Sequence, residues 1–392
     1  MRENFFYAVV LGGYVNGYNI IRELHENGVE NIILLDTENS LAKYSNKIKF
    51  AKKIDKSHNS LLEILKDFEK KKYYCILYPT DDLFIENIKE IYDHIKDFCF
   101  IPFNCENLNQ SISKSIQYTF CQENNIPSPK FRNLENLKSL KHIHDLTFPV
   151  LIKPDKRDKL LDDFRNLYLK NLDDFYRNND KIKKLLQSGH NLLATEVIPG
   201  DDSNIYAYVA YRSKNGNIYN DWIGKKLNQY PNNFGVFSSA SNDAPNIIRK
   251  QGRKLVNKMN LTGICEPEFK YDHRDRQYKL MEINLRSMMW HRVGSLSGVK
   301  IHLTQYQDAI GQPVQRYSQV LDERIHFIYM KHELINLFFR KGYLKSFIYN
   351  VFGSKNKFFA VFDFKDIRPF LYDIFSIMKG VYLKCLKVLK ID

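Results

Sequence analysis

Two continuously apolar runs open the chain, Phe-Phe-Tyr-Ala-Val-Val-Leu over 5–11 and Ile-Ile-Leu-Leu over 32–35 ahead of Asp36. Residues 18–27 between them are spaced as a helix. Runs without polar alternation predict strands buried on both faces, and strand-helix-strand in this order predicts a β-α-β unit of a doubly wound parallel sheet. A third strand is predicted over Tyr73–Tyr78, ending in Pro79-Thr80-Asp81-Asp82. Hydroxyl and carboxylate groups at the carboxyl end of a parallel strand stand where open α/β sheets take their ligands.

The pattern then changes. A helix is predicted near 108–124, carrying Lys114, before the extended connection Asn125-Ile-Pro-Ser-Pro129 that the prolines impose. A strand, Phe148-Pro-Val-Leu-Ile-Lys153-Pro154, precedes a polar stretch with helical spacing over 155–190. A further apolar strand over 191–198 closes on Pro199-Gly200-Asp201-Asp202. Alternation over 205–212 and 218–223 flanks Ser213-Lys-Asn-Gly216-Asn, a hairpin signal. The middle of the chain is therefore α+β, and amphipathic helices are predicted over 332–350 and 367–390.

The densest chemistry lies in Gly263-Ile-Cys-Glu266-Pro-Glu268-Phe-Lys270 and Tyr278-Lys-Leu-Met-Glu282-Ile-Asn284-Leu-Arg286, read as two strands joined by a polar turn. Residues two apart share a strand face, so Glu266, Glu268 and Lys270 project together, as do Glu282, Asn284 and Arg286. A hairpin centred near Asp275 sets Glu268 opposite Glu282. Carboxylates crowded with an amide oxygen are costly unless neutralised, and they suit a hard divalent cation shared with phosphate oxygens. The competing reading is a solvated hairpin with cross-strand ion pairs. The apolar neighbours Leu280, Met281 and Ile283 of Glu282 argue against it.

Glycines at 12, 13 and 17, with Asp36 further on, suggest a dinucleotide turn, but the spacing is G-G-x-x-x-G. A steric requirement at a strand-helix junction is the preferred reading.

Composition narrows the classes. The length of 392 residues asks for two or three domains, and 44% hydrophobic residues exclude wholesale disorder. The six cysteines include no C-x-x-C pair, which disfavours a disulfide framework or zinc site. With no apolar run of spanning length, a cytoplasmic protein is expected, with peripheral contact on the inner membrane face left open. The formal charge of +14 asks for an anionic partner. From Lys331 onward there are 12 Lys+Arg against 5 Asp+Glu, a net of +7. Lysines interleaved with aromatics fit an anionic bilayer or lipid-linked substrate, or else packing across the preceding domain with the ammonium groups in water; the second is favoured. No motif supports nucleic-acid binding.

Taken in order, Lys114, Lys153, Thr195-Glu196-Val197-Ile-Pro-Gly200-Asp-Asp202, Glu268 and Glu282-x-Asn284-x-Arg286 resemble the ATP-grasp ligases over residues 1 to about 310. Glu196 to Ser203, Lys225-Lys226 to Pro231 with Gly235, and Phe359 to Pro369 look most like the carboxylate-amine ligases that include D-aspartate ligase and enzymes of surface-polysaccharide gene clusters. The resemblance implies an α/β front (pre-ATP-grasp) domain over 1–110 and an ATP-grasp domain over 111–312. The latter would divide into a nucleotide-covering part near 130–195 and a metal-binding part near 196–312, followed by a helical, basic, aromatic extension over 313–392.

The resemblance also implies roles. Lys114 and Lys153 match lysines that contact ATP phosphates, and Glu196 and Val197 the hinge whose backbone meets adenine. Asp202 matches the acid on the ribose hydroxyls. Glu268, Glu282 and Asn284 match ligands of two magnesium ions, with manganese an acceptable substitute, and Arg286 the arginine facing the transferred phosphoryl group. The covering loop after Lys153 lacks the usual glycines, so Lys156, Arg157 or Lys159 would replace backbone amides. Leu285 stands where proline is common. The implied activity is ATP-dependent joining of a carboxylate to an amine through an acyl phosphate, in cell-wall or surface-polysaccharide metabolism. A dipeptide or carboxylate-thiol ligase, or a non-catalytic nucleotide-binding scaffold, stays open. Outside the matched motifs, Asp82 is a weaker substrate-side candidate. Lys225 and Lys226 read equally well as holders of the acceptor carboxylate or as an exposed pair, and for His291 a structural place beside Trp290 is favoured over a substrate contact.

Overall fold

The computed structural model describes residues 5–156, 164, 166–232 and 235–389. The front unit runs β1 (Phe5–Leu11), α1 (Val15–Glu26), β2 (Ile32–Asp36), β3 (Phe50–Lys53), α2 (His58–Lys70), β4 (Tyr73–Pro79), α3 (Asp82–Glu90), α4 (Tyr92–Ile95) and β5 (Cys99–Phe100). Its strands form one parallel sheet in the order β3-β2-β1-β4-β5. β1 is buried on both sides: Val9 and Leu11 join a core with Leu65 and Phe68 of α2, while Ala8 and Val10 join another with Ile20, Ile21 and Leu24 of α1. That explains the unbroken apolar run. The short edge strand β3 was not predicted; its Phe-Ala-Lys-Lys is largely exposed and carries no core periodicity.

The glycines after β1 are sterically required. A Cβ on Gly17 would lie 2.0 Å from the Gly12 carbonyl oxygen, and Gly12 itself has φ +94°. Asp36 accepts from the Gly13 N–H at 2.9 Å and from the Ser40 hydroxyl, which closes this turn from within.

Helices α5 (Leu108–Ile112) and α6 (Lys114–Glu123) replace the single helix expected near 108–124. The break falls at Ser113, which is extended and whose hydroxyl accepts from Ile116 N–H to cap α6. Next come β6 (Phe131–Leu134), β7 (Val150–Pro154), β8 (Leu167–Leu169), α7 (Leu172–Gln187) and β9 (Leu192–Glu196). These strands make a four-stranded sheet, β6-β9-β7-β8, with its own small core. Arg157 and Lys159, the candidate phosphate-covering residues, lie outside the described residues, and Lys156 is exposed.

The remaining elements are β10 (Ile205–Arg212), β11 (Ile218–Tyr230), β12 (Val236–Ser241), α8 (Asn246–Lys258), β13 (Gly263–Asp272), β14 (Gln277–Asn284), α9 (Arg292–Leu296), α10 (Ile301–Ala309), β15 (Ile325–Ile328), α11 (Met330–Phe339), α12 (Leu344–Phe352), β16 (Asn356–Phe359) and α13 (Arg368–Leu389). A seven-stranded sheet orders as β14-β13-β10-β11-β12-β15-β16. The segment expected as a separate extension from 313 thus adds two strands to the sheet that carries the acidic hairpin. The helix predicted over 332–350 is two helices, parted near Gly342 at φ +75°. α13 returns to the front unit, where Tyr372 stacks on Tyr44 with ring centroids 4.5 Å apart. Among the described residues no helix is long and apolar enough to cross a membrane.

Candidate active site

The acidic hairpin is β13–β14, with Glu268 opposite Glu282 and Glu266 opposite Asn284. Cross-strand partners share a face, so the four polar side chains form a two-by-two patch. Glu266 and Glu268 are buried, Glu282 and Asn284 half-buried. Across the sheet on the same face, Glu268 pairs with Ala207 of β10, and Ala207 with Gly224 of β11. A Cβ on Gly224 would meet the Trp222 and Trp290 rings, while Lys226, two positions beyond Gly224, lies on this same face. Its ammonium lies 2.6 Å from Glu268 Oε2. Burial alone would lower the Lys226 pKa, but the carboxylates of Glu268 and Glu266 outweigh it and raise it. Burial pushes both glutamates up, Glu266 to about 7, and Lys226 opposes the rise. Lys225, its neighbour in sequence, points to the other face and sits over the Tyr206 ring at 5.8 Å. The structure therefore separates a pair that the sequence could not.

Glu266 belongs to a buried polar chain. It accepts from Asn284 Nδ2 at 3.2 Å and from His291 Nε2 at 2.6 Å. The other His291 nitrogen accepts from the Met288 N–H at 3.3 Å, which puts the proton on Nε2. Burial holds His291 well below the usual histidine range, so it donates as a neutral ring. Ser287 Oγ lies 3.5 Å from His291 Nδ1 and 2.9 Å from His302 Nε2, and His302 Nδ1 lies 2.7 Å from Glu23 on α1. The front unit is thereby joined to the amide of Asn284 through fully enclosed groups. Sequence reasoning placed Glu266 on this face without giving it a task, and it favoured a structural His291 over a substrate contact. The two-residue spacing of Glu266 and Glu268 was the available signal; nothing in the sequence announced Ser287, His302 or Glu23.

Arg286 follows β14 and meets Asp82 at the start of α3, with Nε at 2.6 Å and Nη2 at 3.5 Å from its two oxygens. Asp81 caps α3 by accepting from Phe84 N–H at 3.0 Å. The carboxyl end of β4 thus orients the guanidinium of the other unit.

Lys153 on β7 and Lys114 at the start of α6 are half-buried, and burial lowers both pKa values. Lys153 Nζ is 3.1 Å from the Tyr118 hydroxyl, which donates to the Met281 carbonyl at 2.6 Å, and Glu282 bears electrostatically on both lysines. Asp155, which the sequence did not single out, accepts from Ser113 Oγ and Ser115 N–H, each at 2.7 Å. It fastens the start of α6 to the segment after β7 and keeps the two lysines together.

At the end of β9, the Glu196 N–H donates to the Lys130 carbonyl and the Val197 N–H to the Pro149 carbonyl, both at 2.9 Å. The Glu196 carboxylate accepts from Thr147 N–H at 2.8 Å. Asp202 is buried and accepts from Gln229 Nε2 at 3.2 Å and Arg340 Nη1 at 3.5 Å. Arg340, just past α11, also reaches Asn228 Oδ1 at 3.4 Å. It was missed because it lies in a segment whose sequence reads only as amphipathic helix.

Among the described residues no three His, Cys, Asp or Glu side chains converge as a ready metal cage. The donor chemistry still fits magnesium, which binds through one or two carboxylates plus phosphate oxygens rather than an all-protein cage.

No family model matches the sequence. The chain is 25% identical over 232 residues to the D-aspartate ligase of Enterococcus faecium, covering 56% of this chain and 54% of that protein, so it spans about half the length of this curated relative. The fold is similar to N5-carboxyaminoimidazole synthetase of Staphylococcus aureus (TM-score 0.60, 13% identity, 81% of this chain and 82% of that one). It is also similar to an L-amino acid ligase of Bacillus licheniformis (0.60, 12%, 79% and 75%). A biotin carboxylase complex from Campylobacter jejuni gives 0.63, 15%, 80% and 73%. The chain thus shares its fold with these ligases and carboxylases, and part of its sequence is similar to a D-aspartate ligase.

Proposed function

We propose that the protein uses ATP to join a carboxylate to an amine. The observation that carries this reading is the acidic patch of Glu268, Glu282 and Asn284, set within electrostatic reach of Lys114 and Lys153 in an ATP-grasp fold. An acid patch beside two desolvated ammonium groups suits a ligand with both metal and phosphate character.

In this reading Glu268, Glu282 and Asn284 would hold magnesium, which would supply charge neutralisation at the phosphate oxygens. Lys114 and Lys153 act as point charges on the phosphates. Arg286, held by Asp82 through Nε and Nη2 and resting with Nη1 against Met288 Sδ, would turn its charge to the transferring phosphoryl group. The substrate carboxylate takes the γ-phosphoryl group as its bond to the β-phosphate oxygen breaks. The amine then attacks the acyl carbon, the bond to phosphate breaks, and the amine loses a proton. Positioning and electrostatics do this work, and no protein nucleophile is required. Asp202 would receive the ribose. At the hinge both N–H groups of Glu196 and Val197 are already donated, so the adenine edge would meet their carbonyl oxygens or the N–H of Ile198. Likeness to D-aspartate ligase directs the substrate search to amino acids first, with cell-wall precursors and uronic-acid glycans next. A cytoplasmic site of action follows from the need for ATP.

Release of ADP and phosphate, measured over a matrix of acids and amines, tests the proposal. Turnover should require both partners together, and Glu282→Gln should remove it. Nucleotide binding with no stimulation by any pair would favour a non-catalytic scaffold.

A further inference from the structure

Helices α11 and α12 turn large apolar side chains to water. Phe338 and Phe339 at the end of α11 are 75% and 85% exposed. Leu344, Ile348 and Phe352, spaced by four along one face of α12, are 60%, 51% and 64% exposed. Phe358 on the edge strand β16 adds to them at 39%. Scattered exposed apolar residues are ordinary, but a run of them along two adjacent short helices and the adjoining strand marks a contact surface, and Phe364, Leu371, Phe375 and Met378 extend the exposed apolar character into α13.

The charges of this segment are sorted. Lys341, Lys345, Lys355 and Lys357 are exposed. The acids are turned inward: Glu333 is fully buried and accepts from Ser238 at 2.6 Å and from Tyr343, Asp363 pairs with Lys47, and Asp366 and Asp373 are buried. Among the described residues from 330 to 378, no acidic side chain is exposed. Lys357 lies over the Phe352 ring at 5.1 Å, so cation and aromatic share one patch.

We propose that this face docks on the surface of an anionic lipid bilayer. Exposed phenylalanines enter the acyl boundary while flanking lysines keep their ammonium groups at headgroup level, which is how short amphipathic helices lie in an interface without spanning it. The segment itself carries no exposed acid, and the exposed Glu323 that borders it, accepting from Asn356 at 3.0 Å, is outnumbered by the four exposed lysines, a balance that matches a negatively charged plane. An acidic protein partner would satisfy the lysines but would not need so many protruding rings. Arg340, between Phe339 and Lys341, reaches Asp202 and Asn228, so the lipid face adjoins the candidate nucleotide site. The proposal stands whatever chemistry that site performs.

The full chain is sedimented with vesicles of phosphatidylcholine alone and with vesicles also containing phosphatidylglycerol. It should pellet with the second and stay in solution with the first. Exchanging Lys341, Lys345 and Lys357 together for Gln should weaken binding by about a hundred-fold, and Phe338→Ser with Phe339→Ser by about ten-fold or more. All five side chains are exposed, so circular dichroism should show unchanged folding. The proposal is overturned if the wild-type protein ignores both vesicles, binds both equally, or binds as well without the two phenylalanines. It is also overturned if the phenylalanines instead support self-association in the absence of lipid.

Discussion

The ammonium of Lys226 lies 2.6 Å from Glu268 Oε2, with both side chains less than a tenth exposed. The lysine thus neutralises a carboxylate that we propose as a magnesium ligand, and the two are mutually dependent. Breaking a buried pair from one side leaves an uncompensated charge, at a cost of about 3–5 kcal/mol, whereas removing both partners costs much less. Lys226→Met should therefore destabilise the ligand-free protein by that amount, and Lys226→Met with Glu268→Leu should recover most of it. Denaturant unfolding of the four proteins of the cycle measures the coupling.

Loss of the His291 ring should act on metal affinity through Glu266 and Asn284. Groups that orient a metal ligand are worth roughly 10–100-fold in affinity or activity. His291→Ala is expected to raise the magnesium concentration for half-maximal ADP release by about that factor. His302→Ala, further along the chain to Glu23, should do so more weakly, and titration of activity with magnesium ranks the two.

Arg340 connects β-sheet additions late in the chain to Asp202. Arg340→Ala should raise the KM for ATP several-fold, since it loosens a charge-assisted contact at a partly exposed guanidinium, and should leave kcat close to wild type. Steady-state kinetics at saturating acid and amine separate the two parameters.

His332 is buried between Tyr329 and Tyr230, and its ring bonds the Phe237 carbonyl oxygen at 3.0 Å. Burial lowers its pKa from 6.5 to about 4. A depressed folded-state value means the unfolded chain binds the proton first. The contribution is present above pH 6.5 and is lost as pH falls toward 4. The loss amounts to about 3 kcal/mol. His332→Gln should show a shallower decline in stability over this window than the wild type, by urea unfolding at several pH values.

Much of the site was legible where strand periodicity governs. The two-residue spacing of Glu266, Glu268, Glu282 and Asn284 fixed which side chains share a face, and the Asp272–Gln277 turn set Glu268 against Glu282. Periodicity says nothing of what lies beyond a neighbouring strand. Lys226 on β11 reaches Glu268 on β13 across β10, a relation that emerges from three strands together. The buried chain from Glu23 to Asn284 joins residues far apart in sequence and has no local signature. β3 and β16 escaped for a different reason: both are short edge strands without an alternating core face. The split of α11 from α12 was hidden because the apolar pattern continues across Gly342, whose positive φ ends the helical path.

The central claim is that a carboxylate is phosphorylated before an amine displaces the phosphate. Its most direct test uses an acid labelled with oxygen-18 in both carboxylate oxygens, paired with an amine that sustains turnover, and mass analysis of the products. One labelled oxygen should appear in inorganic phosphate and one should remain in the amide, with ADP as the nucleotide product. Unlabelled phosphate, or AMP in place of ADP, would contradict it.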